Sequence, residues 1–369
     1  MNNNAIRIGL AGAGSVAFGT ACVLLQNGHC PMLWSPSGKR TKELSAGKTI
    51  TASKSIEGEF KPATASDARQ LAADNDVLML VVPGYAHKHV MDALIPHIRP
   101  RHTVIISSHA SLGALYLTRE LARRDVSVPV IAWGTTLTTG RQGDLCSVQV
   151  NTVRSQIDFC VLPSSRTDKA QGLCESLFGQ RFVARDGLLA ISLSNLNPQN
   201  HMGIALGNIS RMERGEAWSQ GQNVTPAIGA LLESLDLERL AIADQLGLTV
   251  RTIFEHFHLS FHVPVASISE MNQEMHAQGN GGTGPATADS RYVTEDVPYG
   301  LVVTAKLGRL AGKPAPLHEA GIALFSAMYR RDFTSENELL PALELDNYSL
   351  DELRDACFSG RLSEACVTG

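Results

Sequence analysis

The chain has 369 residues, 44% of them hydrophobic, and a formal net charge of −4. That length suits two domains with sizeable cores and excludes a disordered chain. Without a basic block the electrostatic footprint for nucleic acid or an anionic membrane is missing, so a small-molecule partner is expected.

The first predicted strand covers "AIRIGLA" (5–11), followed by a helix to about Asn27, which Gly28 can end. Arg7 is the only positive charge in this opening stretch, which reads as a strand and not as a signal peptide. Between strand and helix, Gly12, Gly14 and Ala17 form the pattern G-x-G-x-x-A. The first glycine permits a tight turn, and the second lets the backbone approach a pyrophosphate. The small third residue lets the helix pack on the strand, and the helix N-terminus faces the negative charge. Placed after a strand, before a helix and ahead of a second strand, "CPMLW" (30–34), the pattern predicts a dinucleotide site.

The loop after that second strand, "SPSGKR" (35–40), holds Ser35, Lys39 and Arg40 and no acid. An Asp or Glu here, about 20 residues past the glycines, would accept hydrogen bonds from the ribose of NAD and repel a 2′-phosphate. Serine, lysine and arginine can all donate to one, so NADP(H) is the expected cofactor and NAD(H) the weaker substitute. The stretch "AGKT" (46–49) is no phosphate-binding P-loop, because position 42, where a glycine is needed, is lysine.

Further predicted strands are 76–82, 103–108, 128–133 and 157–162. Several are continuous apolar runs, as parallel strands covered on both faces should be, and their alternation with helices predicts a doubly wound α/β sheet. In "VVPGYAHKHV" (81–90), His87 and His89 read as exposed helix residues rather than metal ligands. No His, Cys or Asp cluster has metal-ligand spacing, and the metal expectation is none.

After about residue 187 the texture changes. Residues 230–248, 299–312 and 317–332 have helical spacing, with a Gly-rich break at 279–284 and a short helix within 350–369. The expected division is therefore 1–187, a dinucleotide-binding domain, and 188–369, an all-helical domain. The four glycines at 279, 281, 282 and 284 can give their loop freedom to close over a substrate in the cleft between the domains.

"NLNPQNHMGIALGN" (195–208) opens an apolar helix with a row of polar residues. One reading is structural, with Pro198 in the first turn and an asparagine capping the free N–H groups. The other makes His201 a proton donor. The seven cysteines are scattered, without C-x-x-C spacing, as reduced thiols in a cytoplasmic protein would be. No apolar run is long enough to span a bilayer.

"NLNPQNHMGIAL", followed much later by "SRYVTEDVPYGLV" (290–302), resembles the octopine/nopaline, or opine, dehydrogenases. The resemblance implies an N-terminal Rossmann domain joined to an all-helical domain. It also implies reductive condensation of an amino acid with a 2-oxo acid by a nicotinamide cofactor. By the same resemblance His201 is the catalytic acid/base and Asp296 its partner, while Asn197 and Arg291 are polar groups of the substrate site. The sequence departs from the family pattern at Trp133-Gly134, where a glutamate is expected before Thr135 and Thr136; that leaves Thr135, Thr136 and Arg141 without an assigned role.

The chemistry agrees with these roles. Condensing an amine with a ketone expels the carbonyl oxygen as water, which requires a proton donor beside it, and imidazole titrates near neutrality. A carboxylate on the other ring nitrogen fixes the tautomer and stabilises imidazolium, while an arginine such as Arg291, if buried, can clamp a substrate carboxylate with two hydrogen bonds. The competing readings are a ketopantoate-reductase-like or glycerol-3-phosphate-dehydrogenase-like reductase and a non-catalytic dinucleotide sensor. The sequence leaves room for a homodimer.

Overall fold

A computed structural model describes residues 5–362. The described chain forms two compact units: one runs up to Ser192 and resumes at Asp351, and the other is Leu193–Leu350.

The first unit is built on an eight-stranded sheet. Its strands are β1 (Arg7–Ala11), β2 (Cys30–Trp34), β5 (Ala63–Thr64), β6 (Val77–Leu80), β7 (Thr103–Ile106), β8 (Val130–Trp133), β11 (Ile157–Leu162) and β12 (Phe182–Ala184). Their spatial order is β12-β11-β8-β7-β6-β1-β2-β5. All six predicted strands take part. The chain leaves β1 toward β2 and then crosses back to β6 on the other side of β1, so β1 and β6 flank the point where the strand order reverses. Adjacent strands run parallel except β8 and β11, which pair antiparallel from Phe159–Trp133 to Leu162–Val130. The central strands lie within the core, with Ile8, Leu10, Leu78, Met79, Val104, Ile105 and Ile131 all fully buried.

A second, four-stranded sheet has no counterpart in the sequence reading. It joins β3 (Ile50–Lys54), β4 (Gly58–Phe60), β9 (Thr138–Gln142) and β10 (Ser147–Val153) in the order β4-β3-β10-β9. Helix α1 (Ser15–Gln26) packs on β9 through Gly19, where a Cβ would lie 2.7 Å from Thr138 Oγ1. The predicted strand 128–133 corresponds to β8, and the chain just beyond it enters the second sheet as β9. Trp133 ends β8 fully buried, its ring edge-on to Phe178 at 5.4 Å between centroids.

The second unit is helical. Its main helices are α2 (Asn197–Glu213), α3 (Pro226–Gln245), α4 (Ile268–Ala277), α5 (Arg291–Thr294), α6 (Val302–Leu310) and α7 (Pro316–Tyr329). A buried ion pair ties the start of α2 to α3. Arg239 donates to Asp236 Oδ1 at 2.7 and 2.9 Å, and Gln199 donates to the same oxygen at 2.9 Å. Arg239 also reaches the carbonyls of Leu193 and Arg251, both at 2.6 Å, and Asp236 Oδ2 accepts from the Ile253 N–H at 2.8 Å. A buried ion pair holds only when its remaining hydrogen-bonding capacity is met, as it is here.

Helix α8 (Leu350–Ser359) returns to the first unit. A Cβ on Gly187 would lie 3.1 Å from the Cys357 carbonyl, and one on Gly360 would lie 3.1 Å from Leu162 Cβ. The sequence reading left this segment in the helical half and drew the boundary at 187, because a contact so distant along the chain leaves no local signature. Among the described residues no helix is long and apolar enough to cross a membrane. The six described cysteines are all unpaired; Cys366 lies outside the described residues.

Candidate active site

In the first unit the glycine pattern sits where the strand order reverses. Gly12 follows β1, donates its N–H to the Trp34 carbonyl at 2.8 Å, and has φ +144°. A Cβ there would fall 2.1 Å from the Val81 carbonyl oxygen just past β6, so only glycine fits. Gly14 is the N-cap residue of α1, and no side chain caps that helix. A Cβ on Gly14 would meet nothing within 4 Å, so open space lies before the uncapped end of α1. Free N–H groups, the helix dipole and that space suit a pyrophosphate. Ala17 is fully buried, as the third position requires. These residues fit a dinucleotide.

Ser35 follows β2 and is buried, with its Oγ 3.4 Å from Ser37 Oγ. The Gly38 N–H donates to the Ser35 carbonyl at 2.8 Å, closing the turn that Pro36 and Gly38 favour. Lys39 and Arg40 are exposed, and Arg40 donates to Gln142 Oε1 at 2.8 Å. No carboxylate occupies positions 35–40.

The carboxyl end of β7 carries groups that the sequence reading passed over. Ser107 and His109 are buried, yet among the described residues Ser107 Oγ and both ring nitrogens of His109 have no hydrogen-bond partner. Burial, with a lesser push from His87, drives His109 down to about 3, so the ring is neutral. Ser108, Ser111 and Leu112 hold φ of +65°, +53° and +55°, a density of backbone strain that clusters at functional sites. His87 is fully buried, contrary to the expectation of exposure, because its Nε2 turns back on the Val82 carbonyl at 3.2 Å; His89 is exposed.

In the second unit, His201 and Asp296 come together across 95 residues of sequence, with Nδ1 2.7 Å from Oδ2. Both side chains keep 20% exposure, enough for a substrate to reach them. His201 lies in the first turns of α2, where Asn195 Oδ1 accepts from the Asn197 N–H at 3.1 Å. The structural reading of the asparagine row therefore holds for Asn195. Asp296 precedes a π-helical turn, Val297–Leu301, that seats directly on α2: a Cβ on Gly300 would lie 2.2 Å from Pro198 Cγ. Asn337, fully buried, donates to the Pro298 carbonyl at 2.8 Å and holds the turn in place. Among the described residues Nε2 of His201, the nitrogen opposite Asp296, has no hydrogen-bond partner.

Tyr292, another residue the sequence reading did not single out, lies against His201. The two rings are parallel to within 9°, with centroids 3.6 Å apart. Burial, helped by the charge of Asp296, pushes the phenol up to about 12, so it stays protonated. Asn197 is exposed near the start of α2. Arg291 is 75% exposed and ion-paired with Glu295 one turn along, not buried as a preformed carboxylate clamp would be.

The Gly-rich loop is pinned. Gly221 N–H donates to the Gly281 carbonyl at 2.7 Å and Gly284 N–H to the Trp218 carbonyl at 2.9 Å. A Cβ on Gly284 would sit 2.2 Å from the Trp218 ring, so this glycine serves close packing rather than motion. Among the described residues no group of three or more His, Cys, Asp or Glu side chains is placed to hold a metal.

A family model described as NAD/NADP octopine/nopaline dehydrogenase, alpha-helical domain, matches residues 184–329. The chain is 30% identical to the opine dehydrogenase of Arthrobacter sp. (strain 1C) over 355 residues, covering 94% of this chain and 97% of that protein. An octopine dehydrogenase solved with NADH and L-arginine has the same fold, with a TM-score of 0.80 at 16% identity over 97% of this chain and 99% of that one. A yersinopine dehydrogenase solved with NADP+ matches with a TM-score of 0.73 at 15% identity over 98% of this chain and 100% of that one.

Proposed function

The chain belongs to the opine dehydrogenase family, NAD(P)-dependent oxidoreductases acting on CH–NH bonds, and from that premise we propose that it joins an amino acid to a 2-oxo acid through an imine, with His201 and Asp296 as its acid/base pair. The observation that carries this reading is the 2.7 Å contact between His201 Nδ1 and Asp296 Oδ2 in the helical unit.

The amine nitrogen adds to the ketone carbon to give a carbinolamine. Its C–O bond breaks as the oxygen takes a proton from Nε2 of the His201 imidazolium and leaves as water. The nitrogen lone pair then forms the C=N bond. Asp296 holds Nδ1–H and offsets the positive charge of the ring, so Nε2 is the nitrogen that exchanges protons. Bound NAD(P)H supplies the hydride and both electrons that reduce the imine carbon. Gly12, Gly14 and Ala17 would cradle its pyrophosphate, and Ser35, Lys39 and Arg40 would favour a 2′-phosphate, making NADP(H) the preferred cofactor. Ser107 and His109 offer unmet hydrogen-bonding capacity at strand ends where ligands of α/β sheets bind. Asn197 and Arg291 would engage substrate carboxylates, Arg291 by exchanging Glu295 for one.

The test is NADPH oxidation with pyruvate or 2-oxoglutarate across a panel of amino acids. This reading requires oxidation that depends on both the amine and the oxo acid. A ketopantoate-reductase-like enzyme would consume NADPH without an amine, and a sensor would not consume it at all.

A further inference from the structure

We propose that Tyr292 is a positioning residue for His201, fixing the plane of the imidazole and so the direction of Nε2, and that Gln220 anchors Tyr292 in that task. The inference rests on the acid/base reading of His201 and deepens it.

One hydrogen bond cannot orient an imidazole. The contact between Nδ1 and Asp296 leaves the ring free to rock about the Nδ1···Oδ2 line, because the torsion that turns a histidine ring is broad. The phenol ring removes that freedom: stacked at 3.6 Å and 9°, it blocks rotation of the imidazole toward its own side. A parallel, closely centred stack is a poor arrangement for two neutral rings, which prefer offset or edge-on packing. It becomes favourable when one ring is a cation facing the electron-rich face of the other. A stack of this kind would thus suit the cationic ring through which the proposed proton transfer passes.

The phenol is itself held. Its hydroxyl donates to Gln220 Oε1 at 2.5 Å, and Ser290 Oγ accepts from the Tyr292 N–H at 3.3 Å. Gln220 lies in the segment tied to the Gly-rich loop, its own N–H donating to the Gly282 carbonyl at 3.2 Å. The glycines of 279–284 thus let a loop pack closely enough to hold Gln220, and through it the catalytic ring.

Three variants separate positioning from bulk structure. Tyr292→Phe keeps the ring and loses the Gln220 bond, Gln220→Met loses the same bond from the other side, and Tyr292→Leu removes the stack. Turnover is measured with amine and 2-oxo acid, and nitrogen-15 spectra of the His201 side chain report its tautomer and ring order. The expected losses in kcat are about 3- to 10-fold for Tyr292→Phe and Gln220→Met and about 100-fold for Tyr292→Leu, the scale of a small misplacement of a reacting group. The KM for NADPH should stay unchanged, and the His201 spectrum should show mixed tautomers or broadening in Tyr292→Leu. Turnover of Tyr292→Leu within threefold of wild type would overturn the proposal. So would lost turnover with an unaltered His201 spectrum, which marks Tyr292 as merely structural. Should Tyr292→Leu fail to fold, the Tyr292→Phe and Gln220→Met pair decides, and equality of both with wild type overturns the anchoring role. If the wild-type enzyme condenses nothing, the function reading fails, while the spectra still report whether Tyr292 orients the ring.

Discussion

At Asp296 a single charge is matched to a single ring nitrogen, and removing the charge while keeping the shape isolates its effect. Asp296→Asn presents a side chain that can donate to Nδ1 as well as accept from it, so the tautomer is no longer held and the imidazolium is no longer neutralised. Turnover should fall by roughly 10²-fold or more while the affinity for NADPH is retained. Steady-state kinetics alongside a cofactor titration checks this. Ser35→Asp places a carboxylate where a 2′-phosphate would lie. The ratio of kcat/KM for NADPH to that for NADH should drop by at least 10-fold, and a ratio unmoved by the change would show that the loop does not read the phosphate.

His109 makes a pH prediction. Its folded-state value of about 3 lies below the ordinary 6.5, so the unfolded chain binds more protons than the folded one between those limits. Stability that is full above about 6.5 is lost as the pH falls toward about 3. Replacing His109 with Gln should flatten the fall in melting temperature over that window. These residues differ in how far sequence reveals them. His201 and Asp296 stand in motifs specific enough to find, whereas Tyr292 beside Arg291 looks like any helix aromatic. Gln220 acquires its partner only through folding. His109 reads as one more polar residue after a strand until its burial is known.

Among the elements, α2 and the π-helical turn matter together. Gly300 lets the turn sit against Pro198, and the turn delivers Asp296 to His201. A methyl group at Gly300 would overlap Pro198 at 2.2 Å, and since the proline ring cannot swing aside the turn must move off the helix. Gly300→Ala should therefore lower kcat by about 10- to 100-fold with NADPH binding intact, because a shift of about 1 Å suffices for that loss. Kinetics and cofactor affinity measured together would separate this from general unfolding. The π character of this segment was not legible: "VPYGLVVTAKLGRLAG" has ordinary helical spacing, and the close seating of Gly300 against Pro198 of α2 belongs to the fold rather than to the local pattern. Similarly, the pairing of β9 with β10 went unread: "TTGRQ" is polar, and the alternation of apolar and polar residues in the seven-residue "SVQVNTV" was passed over. The apolar central strands were legible because burial on both faces leaves long hydrophobic runs.

The whole molecule assigns its chemistry by unit. The first unit carries the glycine pattern at the reversal of strand order, and the second carries His201 and Asp296, the pair proposed to exchange protons. The change of texture near residue 187 was visible because a sheet and a helical bundle need different hydrophobic periods. The return of α8 to the first unit was not, since nothing in ten residues says which distant surface they cover. On the proposed reading, His201 makes this chain a condensing dehydrogenase rather than a plain reductase. The direct measurement is NADPH oxidation by wild type and His201→Ala, each with oxo acid alone, amine alone, and both, together with NADPH binding. Turnover is expected only when both are present, with a loss of roughly 10²- to 10⁴-fold in His201→Ala and unchanged NADPH affinity. Turnover without the amine, or near-normal condensation by His201→Ala, would contradict it.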